Sequence, residues 1–161
     1  MKWALFMFNI IFILILFSLG YVLATKNQSI EQPIEFSNKE LPSPSDWIKE
    51  DQIQVLNDKI IINIANPKWA KFTDTNSMDP LFDEESNAIE IIPDLEKDIH
   101  IGDVVSYKSN LVDGIIIHRV ISIEKDENGA YFILKGDNNK YSDPEKVRFE
   151  QIQRILVAII Y

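Results

Sequence analysis

The chain contains no cysteine. Disulfides, thiolate-bound metals and a cysteine nucleophile are therefore excluded. Histidine is almost as scarce. His100 and His118 are the only two, 18 positions apart and without ligand-like spacing, so neither a metal site nor any other cofactor is expected. Positive charge is in short supply as well: 16 Lys and Arg stand against 25 Asp and Glu, a net −9. That balance argues against nucleic acid as a partner, while an acidic surface of this kind is also an ordinary route to solubility. Long 3.6-residue periodicity is missing beyond residue 25, which argues against a helical domain.

One stretch lacks charge altogether. Residues 3–24 run for 22 positions without a charged side chain, from Trp3 through Ile10-Ile11-Phe12-Ile13-Leu14-Ile15-Leu16-Phe17 to Ala24. As a helix this segment reaches roughly 33 Å, enough to cross a hydrocarbon core of about 30 Å. It reads as a transmembrane signal anchor. A removed secretory signal is the alternative, with Val22-Leu23-Ala24 before the cut, but the apolar core of such signals is shorter, about 7–15 residues. Lys2 is the only charge ahead of the run, so the part that follows is one unit more negative than the whole. If the short amino-terminal end stays inside, residues 25–161 lie on the extracytoplasmic side of the cell membrane, and the lipid bilayer is the first expected partner.

Residues 25–46 are polar and carry Pro33, Pro42 and Pro44, the composition of a stalk or linker. Residues 47–161 then change to short Ile- and Val-rich runs broken by turn residues. Ile53–Leu56 and Lys59–Ile64, joined by Asn57-Asp58, read as a hairpin. Strands are expected at Ala88–Ile92, Asp103–Tyr107, Gly114–Ile123, Ala130–Leu134 and Arg154–Tyr161, with Glu127-Asn128-Gly129 as a hairpin turn. The expected fold is a mainly β domain, closed or sandwiched to bury its strands.

Four short motifs stand out within it. They are Ser77-Met78-Asp79-Pro80, Gly102-Asp103-Val104-Val105, Ile117-His118-Arg119-Val120-Ile121, and Gly136-Asp137-Asn138-Asn139 with Asp143 beyond. Serine-based peptide hydrolysis needs a hydroxyl nucleophile, a base in reach of its proton, a group that orients the base and an oxyanion site. Each candidate also has a plain structural reading. Ser77 serves as a loop serine, His118 as a hydrogen-bonded core residue on an apolar strand, and Asp137 and Asp143 as turn caps.

In this order the motifs resemble the boxes of type I signal peptidases, over roughly residues 70–150 plus the anchor. Histidine where the bacterial enzymes have lysine is similar to the archaeal and endoplasmic-reticulum branch, which uses Ser, His and Asp. The resemblance implies a signal-peptidase-like, β-rich catalytic domain behind one amino-terminal transmembrane helix. It further implies a serine endopeptidase that removes signal peptides from exported preproteins, with accessory subunits left open. Ser77 would be the nucleophile and His118 the general base. Asp143, or failing it Asp137, would orient His118. The Ser77 N–H and Thr75 would form the oxyanion hole, and Met78 and Pro80 would contact substrate.

The chain departs from that pattern between Pro80 and Gly102. Its 21 residues there exceed the usual short turn and are expected to border the substrate cleft. The family's preference for alanine-sized residues before the cut is the property this puts in question. Other readings are a protease of the same clan with another substrate, or a membrane-anchored β-domain that has kept the boxes and binds partners without catalysis. A self-cleaving repressor fits poorly, because the chain has no basic module and its base position is not lysine.

Overall fold

The computed structural model describes residues 40–161 and, ahead of them, only Trp3. The expected anchor at 3–24, Trp3 aside, and the linker as far as residue 39 lie outside the described residues. Among the described residues no helix is long and apolar enough to cross a membrane.

Eight antiparallel strands build the unit Glu40–Tyr161. β1 (Ile53–Val55) and β2 (Ile60–Ile62) form the expected hairpin as a separate two-stranded sheet. The other six are β3 (Lys68–Lys71), β4 (Asn87–Ile91), β5 (Val104–Lys108), β6 (Ile115–Asp126), β7 (Gly129–Lys135) and β8 (Ile152–Ile160). They make one sheet in the order β3-β4-β8-β5-β6-β7. Pairing runs from β3 to β7 without joining these two edges, so the sheet is open rather than closed into a barrel. Bulges in β6 between Val120 and Ser122, and in β8 where it pairs with β4 and with β5, add local twist.

β-branched residues dominate β6, and strand alternation sends its side chains to opposite faces. Ile116, His118 and Val120 share a face with Val105 and Tyr107 of β5, opposite which they pair or lie. This face holds the larger core, in which Val105, Val120, Phe132, Leu134, Val147 and Ile155 have no exposure. Each such side chain contributes roughly 1.5–3 kcal/mol over its exposed state. The opposite face carries a smaller core of Met78, Phe82, Ala88, Val104 and Leu156. Two cores on one open sheet take the place of the expected closure.

The interval 81–101 is not simply a loop, because it contributes β4, paired on both sides in the sheet. β3, with the sequence Lys-Trp-Ala-Lys, lacks an apolar run and exists through its four pairs with β4.

The carboxyl end of the linker is pinned to the domain. Asp103, fully buried, accepts from Ser45 N at 2.7 Å, from Trp47 Nε1 at 3.2 Å and from His100 N at 2.9 Å. Gly102 makes the close approach possible. Its φ is +103°, and a Cβ there would stand 2.0 Å from the Ser43 carbonyl oxygen. Arg119 Nη1 also donates to Pro42 O, at 3.1 Å.

Asp103→Ala in the full chain should lower unfolding free energy by about 2–4 kcal/mol, since three donors lose one acceptor group. Trp47 emission should shift to the red as the strap loosens. Denaturant curves that superpose on the parent, with unchanged emission, would contradict this role.

Candidate active site

His118 is buried, and its Nδ1 lies 2.7 Å from Asp143 Oδ2 and 2.9 Å from Oδ1. A carboxylate only accepts, so Nδ1 carries a proton in this pair. In the neutral ring the lone pair then sits on Nε2, the arrangement a general base requires. Nε2 has no protein partner among the described residues. None of their buried side-chain nitrogens or oxygens lacks a partner, so Nε2 is the edge of the ring that reaches solvent. Asp143 is itself fixed by its backbone N–H, which donates to Leu134 O at 2.8 Å.

Tyr107 completes this cluster. Its hydroxyl donates to Asp143 Oδ2 at 2.9 Å, so two donors converge on one carboxylate oxygen. Burial, with the Asp143 charge as second cause, raises the phenol above its ordinary value of 10.0 and keeps it protonated as a donor. Tyr107 is not among the site residues expected from the sequence. The signal was available, because a tyrosine in a strand of core residues must find a partner for its hydroxyl.

Asp137 does not touch His118. It takes a bidentate contact from Arg119, at 2.8 Å from Nε and 2.6 Å from Nη2, with both side chains buried. Of the two acids considered as orienter, geometry selects Asp143 and gives Asp137 a structural partner. His100 is exposed, and its backbone N–H serves Asp103.

Ser77 lies in the loop between β3 and β4, where Asn76 takes a left-handed φ of +56° to turn the chain. The loop is held by the segment after β7. Asn138 N donates to Ser77 O at 3.0 Å, Asn138 Nδ2 to Asn76 O at 2.9 Å, and Asp137 N lies 3.5 Å from Met78 Sδ. A Cβ on Gly136 would stand 2.5 Å from Ser77 O, so the serine backbone packs flush against the segment after β7.

No hydrogen bond joins Ser77 to His118. The Ser77 hydroxyl instead lies 3.2 Å from Thr75 Oγ1, which also stands 3.5 Å from Ser77 N. Thr75 thus lies against both the hydroxyl and the backbone N–H of the nucleophile candidate. Met78 is buried beneath the serine and lines a cleft of about 470 Å³. Pro80, joined to Asp79 by a cis peptide bond, is exposed and does not line that cleft, so its expected substrate contact is not supported. Phe82, Asp83 and Glu90 do line it, so the 81–101 interval contributes to its wall. Among the described residues no cluster of His, Asp and Glu could hold a metal ion.

No protein-family profile matches the chain, and no solved structure matches it. It is similar to an uncharacterized protein of Methanocaldococcus jannaschii, with 54% identity over 44 residues. The match covers 27% of this chain and 22% of that protein.

The Tyr107 contact predicts a pH dependence of stability. An acid whose folded pKa is raised binds its proton more tightly in the folded state. This stabilisation is complete below pH 10 and drains away as pH rises beyond it. Denaturant midpoints of the parent should therefore fall more steeply above pH 10 than those of Tyr107→Phe. Parallel profiles would show that the phenol is not held in this way.

Proposed function

We propose that this chain is a membrane-anchored serine endopeptidase of the signal-peptidase kind, cutting amino-terminal signal peptides from exported preproteins. The observation that carries this reading is the His118 Nδ1–Asp143 contact at 2.7 Å, which leaves Nε2 as the basic, solvent-reaching atom. The Ser-Met-Asp-Pro loop beside the β6–β7 segment supports it. In this reading residues 3–24 anchor the chain, and residues 40–161 work at the extracytoplasmic face, where signal cleavage sites emerge. The domain is then the signal-peptidase-like β-rich catalytic unit.

The chemistry follows from the proton inventory. Ser77 Oγ attacks the scissile carbonyl carbon while His118 Nε2 removes its proton. Asp143 steadies the imidazolium, and Tyr107 holds the carboxylate in place. The oxyanion is met by the Ser77 N–H and the Thr75 hydroxyl. His118 then protonates the leaving amine, and water enters by the same base to release Ser77 from the acyl-enzyme. The step requires the Ser77 hydroxyl to leave Thr75 and come within hydrogen-bond reach of His118 Nε2, to which it is not bonded in this structure. Catalytic hydrogen bonds of this type commonly tighten only when substrate is bound.

The same Ser77–Thr75 contact favours a second reading, a partner-binding β-domain in which the serine is never activated. The two are separated by activity. In detergent, the full chain should cleave a preprotein, and Ser77→Ala and His118→Ala should each abolish cleavage. Asp143→Asn should lose roughly 10³–10⁴-fold in kcat. Asp137→Ala should act on stability, by about 3–5 kcal/mol, through the stranded Arg119. Full activity in either Ser77→Ala or His118→Ala would sink the mechanism.

A further inference from the structure

The cleft beside Ser77 is not uniformly apolar. Phe72, Met78, Phe82 and Ile117 form part of its wall, but Glu90, Ser106 and Arg154 line it as well. Its volume of about 470 Å³ is far more than the methyl group of an alanine fills. The three polar residues come from neighbouring strands on the face of the smaller core. Ser106 of β5 pairs directly with Arg154 of β8, and Glu90 of β4 pairs with Leu156 two residues on.

Glu90 is the unusual member. Its side chain is only 3% exposed, yet among the described residues it receives one contact, from Arg154 Nη1 to Oε2 at 3.2 Å. A buried carboxylate with so few donors is costly unless something else completes it. Oε1 has no partner there. Since no buried polar side-chain atom among the described residues is unpartnered, Oε1 opens to the cleft. Arg154 is 41% exposed and uses one of its five N–H groups. The hydroxyl of Ser106, a residue only 4% exposed, likewise has no protein partner among the described residues. One wall thus offers a free carboxylate acceptor, several guanidinium donors and a hydroxyl that can do either.

The pair is neutral as a unit, and that selects the ligand. A cationic side chain entering here meets Arg154, and an anionic one meets Glu90. Lys71 and Asp83, which also line the cleft, add one charge of each sign and leave the balance unchanged. A carboxamide satisfies both partners at once, with its NH₂ donating to Glu90 Oε1 and its C=O accepting from Arg154 or Ser106. An aliphatic side chain of equal size would leave these groups desolvated and unpaired, and sites of this construction discriminate strongly against such analogues.

We infer that the Glu90–Ser106–Arg154 wall is a subsite for an uncharged, hydrogen-bonding side chain, glutamine or asparagine, in the peptide whose scissile carbonyl is presented to Ser77. The inference rests on the endopeptidase reading for the direction in which the peptide lies. The subsite itself is testable without hydrolysis.

The test is binding to the full-length Ser77→Ala chain in detergent micelles, followed by fluorescence anisotropy. The probes are labelled peptides that differ at one scanned position, carrying Gln, Met, Ala, Glu or Lys. At one position Gln should bind at least about 10-fold more tightly than Met. Adding Glu90→Gln leaves Arg154 unneutralised and should transfer the preference to the Glu peptide. Adding Arg154→Gln, on a half-exposed side chain, should transfer it to Lys and serves if the Glu90 variant misfolds. Met or Ala binding best at every position, a ranking unmoved by either substitution, or no binding of any peptide would overturn the subsite. Parent enzyme that cuts alanine-bearing peptides without a Gln preference overturns the subsite alone. Gln-selective binding without cleavage by the parent overturns the endopeptidase reading alone.

Discussion

Two successive residues of β6, His118 and Arg119, are both buried, and each is matched by a carboxylate from the segment that follows β7. Strand alternation sends the pair to opposite sides of the sheet, so Asp143 must reach one side and Asp137 the other. This fixes the segment 136–143 at two points on the same strand. The Ser77 loop is in turn fixed to that segment, through Asn138 and the flush contact at Gly136. A single constraint on β6 thereby sets His118, its partner Asp143 and the loop carrying Ser77. Neither buried contact would be expected to add much net stability, because burying charge offsets most of the attraction. Their contribution is to position.

The same logic extends to the start of the domain. Arg119 also donates to Gly102 O at 2.9 Å and to Pro42 O, so the strap entering from the linker shares a guanidinium with Asp137. Asp103 gathers Ser45, Trp47 and His100 around the same turn. The four sequence boxes are therefore largely one physical network. The Gly-Asp box receives the strap, the His-Arg pair distributes the carboxylates, and the last box holds the serine loop.

Much of this was legible in the sequence, and for identifiable reasons. Runs of β-branched residues announced β1, β2, β4, β5, β6 and β8, and the apolar, aromatic run Ala130–Leu134 announced β7, each to within a few residues. Glu127-Asn128 gave the β6–β7 turn, with Asp126 opposite Gly129. β3 was not legible, because Lys-Trp-Ala-Lys has no strand pattern of its own and depends on β4. The open order of the sheet was also hidden, since pairing between β4 and β8 joins residues some 70 positions apart. At the site, the resemblance put Asp143 ahead of Asp137, but residue types alone do not say which acid touches His118. Only the third dimension gives Arg119 to one and His118 to the other. Tyr107 and Glu90 were passed over because each looked like an ordinary position in a strand, and their meaning lies in what stands across from them.

The central claim is that Asp143 and His118 make Ser77 a nucleophile. Intact-mass analysis of the full chain treated with a serine-reactive phosphonate tests it most directly. A single adduct, mapped to Ser77, is expected, lost in His118→Ala and strongly slowed in Asp143→Asn. An adduct on another residue, or labelling of Ser77 at an unchanged rate without the histidine, would contradict it.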